Sequence, residues 1–408
     1  MSTKIWLIRL RPLEPFYFGG ANNFSAGSDP YKVNYLSRSN YFPQQTSLLG
    51  MLRYCLLEQA GKLPLSNNNR PSAKALIGAE SFHSHPIPSP AAATGTPVSA
   101  YGKIIRLSPV FIQRVVSNPD GTFSTAQCIF RNANEHFEYD KAAHTLQLAK
   151  KPVEVSFNRN VWQPYHAPEA PFSGKNAPEP TLVDALDGTI LPLDYDKEKK
   201  KGLFIEDWRV GIVKKDREEA FYKQCFYRFA SPASGGSYCF AFYAELDTTV
   251  TLTDAIVQLG GDRSSFALNA VVAKAGNDPL TEPATFYGNL FQQKGDRSLD
   301  KLVLLSDSRV NAMLFSHLQF GVTNGQPFRN NRASVDTTQR YGPLAAKGRL
   351  TERFLQSIDV PQRGQAHYLL AAGSVLYTTD IPRLKVELDK FPHFQTIGYN
   401  HYIHIPKA

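Results

Sequence analysis

Cysteine, methionine and tryptophan are scarce in this chain: 4, 3 and 3 among 408 residues. No two of Cys55, Cys128, Cys225 and Cys239 form a C-x-x-C pair, which argues against zinc ribbons and thioredoxin-like redox chemistry. Cys55 falls in a helical apolar pattern and Cys239 in an aromatic run, so both read as small buried hydrophobes suited to a reducing compartment. No apolar run reaches the ~18 residues that a membrane-spanning helix needs. The opening MSTKIWLIRLRPLEPF alternates basic and apolar residues without a small-residue cleavage site, so no secretory signal is expected. A soluble cytoplasmic protein without a membrane partner is the expectation.

The usual catalytic frames are missing too. There is no G-x-x-x-x-G-K-[ST] loop, no strand-borne G-x-G-x-x-G, no G-x-S-x-G elbow and no H-E-x-x-H. His83-Ser84-His85 offers two imidazoles with no third ligand at a fixed spacing. Ser306-Asp307-Ser308 has no evident histidine partner in the sequence. No cofactor, no metal and no chemistry of its own are expected.

Aromatic side chains and positive charge are plentiful. With 26 Phe and 19 Tyr, wholesale disorder is excluded. The net charge of +9 favours a polyanionic partner or an acidic protein surface. It is uneven: residues 328–363 hold seven Lys/Arg against three Asp/Glu, and residues 103–131 hold four against one. Clustering of this kind suits a phosphate-tracking groove, and it equally suits a solubilising face.

At ~150 residues per domain the length implies two to three domains. Strands are expected at 3–10, 103–116, 122–130, 203–212, 237–246, 266–272, 301–306, 367–377 and 401–405. The strongest helix signal starts at Thr46 or Ser47 and stops at Gly61, with Leu48, Leu49, Leu52, Cys55 and Leu56 on one face. Further helices are expected over 216–229 and 308–318, while 62–100 and 321–350 read as loops. The boundary is placed near the KEKKK run at 197–201, which gives units 1–200 and 201–408 with a Pro-rich arm inserted at about 158–182. The pattern is α+β, compatible with two ferredoxin-like (RRM/RAMP) βαββαβ domains carrying long loop insertions.

Six short segments occur in a telling order: Pro15–Gly20 (PFYFGG), Pro43–Arg53 (PQQTSLLGMLR), Arg209–Ile212 (RVGI), Leu259–Phe266 (LGGDRSSF), Ala372–Tyr377 (AGSVLY) and Ile397–Asn400 (IGYN). Together they resemble the RAMP superfamily of CRISPR effector subunits. The likeness is greatest to the subunit of the type III-B (Cmr) complex that holds the 5′ handle of the CRISPR RNA; the corresponding type III-A (Csm) subunit is related. Gly19-Gly20 stands where an Arg-Asp-Gly-like turn is usual, and the C-terminal glycine-rich segment is reduced to Gly398. The resemblance implies a non-catalytic cap. It would clamp the handle and dock the large polymerase-type subunit, with the backbone RAMP subunits on its other side.

That reading assigns RNA-binding roles. Gln44, Gln45, Thr46 and Ser47 stand at a helix start, where free N–H groups favour a phosphate. Arg53, two turns on, either pairs with a phosphate or forms a surface salt bridge. Asn22, beside Gly19 and Gly20, is placed to read a base edge. Trp208 is a core residue or a stacking platform, with Arg209 as its neighbouring cation. Gly260 and Gly261 allow close backbone approach, with Arg263 and Ser264 at the phosphate; a plain turn is the alternative. Arg159 and Trp162 belong to an arm that, by analogy, inserts between handle and guide. The basic 328–353 stretch would meet RNA or an acidic subunit. Two other readings stay open: a RAMP endoribonuclease that processes precursor RNA through histidines such as His83, His85 or His166, and a protein-only scaffold that never touches RNA.

Overall fold

The computed structural model describes residues 2–19, 22–26, 33–66, 68–78, 101–119, 123–133, 137–140, 145–148, 155–158, 161–164, 181–212, 221–260, 262–274, 276, 278–287, 300–309, 320–323, 326–327, 340–341, 367–370, 372–378 and 381–406. The architecture is mixed α+β, dominated by mostly antiparallel sheets. Strands and helices are numbered in chain order.

The central sheet has nine strands: β1 (Thr3–Pro12), β4 (Ile104–Leu107), β5 (Phe111–Ser117), β6 (Phe123–Arg131), β11 (Thr181–Asp184), β12 (Ile190–Pro192), β15 (Ser237–Asp247), β16 (Ala255–Leu259) and β17 (Ser264–Val272). Their order is β12-β11-β6-β5-β15-β1-β17-β16, with β4 also paired to β15. β1 lies in the middle, antiparallel to β15 from Thr3↔Asp247 to Leu10↔Phe240 and to β17 from Trp6↔Val272 to Pro12↔Phe266. Strand alternation sends Trp6, Ile8 and Leu10 into the main core and Leu7 into a second cluster on the opposite face, with Phe111, Phe130, Tyr243 and Tyr287. Burial on both faces explains why this strand reads as an apolar run.

Helix α1 (Gln45–Gln59) covers the main core with Leu48, Leu49, Leu52, Cys55 and Leu56. Each fully buried leucine contributes about 1.5–3 kcal/mol relative to exposure. Gln44, two residues before the earlier of the expected starts, is the extended residue before the helix. The helix stops where Gly61 takes φ +62° and the Lys62 N–H donates to the Leu57 carbonyl at 2.8 Å. Helix α2 (Arg70–Ile77) lies inside the stretch expected to be loop; Pro71 fits its first turn, and Ala73 and Ile77 join the core.

A second sheet, ordered β13-β14-β3-β2, contains β2 (Asn22–Ala26), β3 (Val33–Arg38), β13 (Phe204–Ile212) and β14 (Phe221–Phe229). The helix expected over 216–229 is instead β14 from Phe221 on. FYKQCFYRF alternates with period two, so Cys225, Tyr227 and Phe229 reach the core beside Phe16 and Phe204, and this burial outweighs local helix preference.

The third main sheet, ordered β21-β20-β24-β18-β25, holds β18 (Asp300–Leu304), β20 (Phe320–Thr323), β21 (Gln326–Pro327), β24 (Val375–Thr378) and β25 (Tyr402–Ile405). Between β24 and β25 lie helices α4 (Ile381–Asp389) and α5 (Pro392–Thr396); α3 (Pro283–Tyr287) precedes β18. Three small pairings complete the strands: β7 (Phe137–Asp140) with β8 (Thr145–Leu148), β9 (Val155–Asn158) with β10 (Val161–Pro164), and β23 (His367–Leu370) with both β19 (Ser308–Arg309) and β22 (Arg340–Tyr341). Ser308–Arg309 is thus a strand, and the rest of the expected 308–318 helix lies outside the described residues.

The central sheet takes strands from both sides of residue 200, so the division placed there separates no two sheets. The chain passes from the central to the third sheet between Val272 and Asp300. The KEKKK run is an exposed turn in which Asp196 Oδ1 accepts the N–H groups of Glu198 and Lys199 at 2.8 and 3.1 Å.

Solvent exclusion also sets the titration of the interior. Burial raises Cys55 and Cys239 to about 12, which fits inert core thiols. The half-buried His401 ring, with Nε2 3.1 Å from the Gln395 carbonyl, titrates below its ordinary 6.5 because desolvation penalises its charged form. The unfolded chain therefore takes up this proton first, and stability falls as pH drops below 6.5 toward the lower folded value. Thermal melts between pH 7.5 and about pH 5 are expected to show this loss, with a limiting slope of about 1.4 kcal/mol per pH unit. His401→Gln should flatten it; an unchanged profile in that variant would contradict the assignment.

Candidate nucleic-acid interface

The loop after β1 is tied to both neighbouring sheets. Phe16 exchanges backbone hydrogen bonds with Tyr227 of β14 at 2.8 and 3.0 Å. The Tyr17 N–H donates to Ser264 Oγ at 3.1 Å, the Leu13 N–H to the Ser265 carbonyl at 3.0 Å, and the Ser265 N–H to Glu14 Oε1 at 2.8 Å. The Phe18 and Phe266 rings stack with centroids 5.9 Å apart. Gly260 is required here: its φ is +86°, and a Cβ would lie 2.2 Å from the Tyr17 carbonyl oxygen. PFYFGG and LGGDRSSF, some 240 residues apart, thus form one structure.

RVGI completes it from β13. Arg209 lays its guanidinium 4.1 Å from the Phe226 ring centroid, and Phe226 in turn packs on Tyr17 at 5.2 Å. Between the three segments opens a cleft of about 360 Å³, lined by Glu14, Pro15, Arg209, Val210, Gly211, Gln224, Phe226, Asp262 and Ser264. Partial burial raises the Asp262 carboxyl above its ordinary value, and the charge of Arg209 opposes that rise.

On the same sheet, the register Trp208↔Cys225↔Arg38 puts Trp208 and Arg38 on one face. Trp208 is 36% exposed, with Lys223 Nζ 4.4 Å and Arg38 Cζ 5.7 Å from its ring centroid. Its Nε1–H donates to Glu206 Oε2 at 2.8 Å, and Glu206 also pairs with Arg38 at 2.8 Å. This edge-strand indole carries two cations and one carboxylate. The sequence leaves core and platform open for Trp208; the ring is partly exposed and already attended by cations.

The expected helix-start site is built differently. Gln45 is 4% exposed, and its amide joins two backbones by donating to the Ile397 carbonyl at 3.2 Å and accepting the Val110 N–H at 2.8 Å. The Thr46 N–H donates to Tyr399 Oη at 3.4 Å and the Ser47 N–H to the Gln44 carbonyl at 2.9 Å. The IGYN segment therefore occupies the end of α1 that was expected to face a phosphate, because those amides find partners within the chain. Gln44, Thr46 and Ser47 are half-buried. Arg53 is half-buried: desolvation lowers it to about 10, and its Cζ sits 5.7 Å from the Tyr101 ring. The Gln45 amide is thus engaged within the chain.

Of the remaining expected residues, Gly19 takes φ +72° with open space at its Cα. Asn22 begins β2, paired with Ser37. Arg263 is half-buried at φ 56°, its N–H donating to the Gly260 carbonyl at 3.3 Å. Trp162 lies in β10. Gly20, Gly261 and Arg159 lie outside the described residues, as do His83, His85, His166 and the 328–353 stretch apart from Arg340–Tyr341. Arg38, Lys223, Glu14 and Gln224 are not singled out by any motif; the alternation of FYKQCFYRF was the available signal for Lys223 and Gln224.

Among the described residues no group of three His, Cys, Asp or Glu is placed to hold a metal ion, and no helix is long and apolar enough to cross a membrane. No protein-family model matches the chain, and no curated protein matches it.

Proposed function

We propose that this chain is a non-catalytic RNA-binding subunit of a type III-B (Cmr) CRISPR effector complex, working without a cofactor in the cytoplasm. It anchors the 5′ handle of the CRISPR RNA and docks the large polymerase-type subunit for antiviral defence. The observation that carries this reading is convergence: PFYFGG, RVGI and LGGDRSSF meet around one cleft that holds Arg209, and the other face of β13 and β14 carries an exposed indole flanked by two cations. Unpaired RNA is held by cations on phosphates and by aromatic or guanidinium planes on splayed bases, and this patch offers both.

Strand order supports two RAMP domains. In a ferredoxin-like βαββαβ unit the sheet runs 4-1-3-2. The segment β17-β1-β15-β5 follows that order, with α1 linking β1 to β4 and β5, while β16 replaces a second crossover helix. The third sheet follows it as β25-β18-β24-β20, with α4 between β24 and β25. The domains then run from residue 3 to 272 and from 300 to 405, each with insertions.

The test is to purify the tagged protein from its native cell and sequence the RNA that accompanies it. Short RNAs sharing one identical 5′ end, with several co-purifying proteins, are the expected result. Random RNA ends, or no RNA, would overturn the proposal.

A further inference from the structure

The cleft between the loop after β1 and strand β13 has the wrong charge for a phosphate. Glu14 and Asp262 both line it, and Asp207 lies 3.8 Å from Arg209 Nε. A phosphate placed there would meet two carboxylates for one guanidinium. A neutral ligand presenting donors to one side and acceptors to the other meets no such conflict. Resting on the RNA-binding reading above, we infer that this cleft takes a single unpaired guanine base and that the phosphates lie outside it.

The match is one of hydrogen-bonding edges. Guanine carries two adjacent donors, N1–H and the 2-amino group, which fit the two oxygens of one carboxylate. On its other edge O6 and N7 are adjacent acceptors, the pair an arginine fork prefers. Adenine offers no adjacent acceptor pair for Arg209. Cytosine and uracil lack the paired donors. Glu14 Oε1 is already engaged by the Ser265 N–H at 2.8 Å, which fixes that carboxylate as part of the wall and leaves Asp262, at the exposed tip of the GGDRS turn, to read the donors. Arg209 is steadied beside the cleft by Phe226, whose ring centroid lies 4.1 Å from its guanidinium carbon. A volume of about 360 Å³ admits a nucleoside.

The full-length protein should be titrated by fluorescence anisotropy with a labelled ten-residue oligouridine, and with oligomers in which one guanosine replaces uridine at each position in turn. In one register guanosine is expected to tighten binding by roughly tenfold, and inosine there, lacking only the 2-amino group, to forfeit most of that gain. Asp262→Asn should erase the guanosine-over-inosine preference, a selective loss that misfolding would not produce. RNA binding with no guanosine preference in any register, or a preference that survives Asp262→Asn, would overturn this inference and leave the RNA reading standing. Failure to bind any oligomer at low salt would remove the RNA reading, and this inference with it.

Discussion

Asn400→Ala is expected to cost the fold on the order of 3–5 kcal/mol, because three buried backbone groups lose their partner together and each costs roughly 1–3 kcal/mol when unsatisfied. Asn400 is fully buried. Its Oδ1 accepts the Arg309 N–H at 2.7 Å, and its Nδ2 donates to the carbonyls of Arg309 and Leu388 at 2.8 and 3.0 Å. One side chain thereby pins β19 and the end of α4 to the turn that leads into β25. The residue also sits at φ 54°, which asparagine tolerates and alanine does not. Asn400→Gly keeps that conformation and loses only the hydrogen bonds, so it should fall short of alanine by about 1 kcal/mol. Thermal melting of the three proteins reads this directly, with a drop of ~10 °C for alanine at about 2–4 °C per kcal/mol. A loss below about 1 kcal/mol for alanine would show that water replaces the side chain and that the pin is not structural.

Asn400 also marks how far the sequence could be read. IGYN was visible as one of six ordered segments, but its work is internal, and nothing in four residues tells a ligand-binding asparagine from one that satisfies three backbone groups. The same blindness applies to Gln45. A polar residue at a helix start is as good a backbone latch as a phosphate ligand, and only the arrival of Ile397 and Val110, both distant in the chain, decides the matter. What was legible followed from periodicity: the β1 run, α1 and its glycine stop, the hairpin of β5 and β6, and the α+β character. Where two periods competed, as in the acidic-basic approach to FYKQCFYRF, burial of alternate aromatics chose the strand. The division at 200 rests on a signal of the same local kind. A charged run marks an exposed turn, and exposure says nothing about which strands hydrogen-bond across it. Gly260 is the opposite case, since a Gly-Gly-Asp turn signals close backbone approach, and its close neighbour is the Tyr17 carbonyl of this chain.

Removing both cations from Trp208 should weaken RNA binding by about 30-fold near 0.15 M salt, at roughly 1 kcal/mol for each phosphate left without its cation. The variants are Arg38→Ala and Lys223→Ala, singly and together. Each should lower the slope of log K against log salt by about 0.7, the value for one phosphate of a single strand, and the pair by about 1.4. Arg38 shares its charge with Glu206, so its removal should matter somewhat less than that of Lys223, whose ammonium lies over the indole. Trp208→Leu separates stacking from charge: it should reduce affinity and leave the salt slope unchanged, because unstacking a base from an indole releases no counterions. Glu206→Gln gives the opposite sign, since it frees Arg38 and removes a negative charge beside the path, and binding should tighten by a few-fold. If affinity and slope stay the same in the double variant, the basic clusters serve protein docking, and the scaffold reading replaces the RNA one. If slope and affinity fall together while Glu206→Gln strengthens binding, the phosphate path runs over this edge of β13.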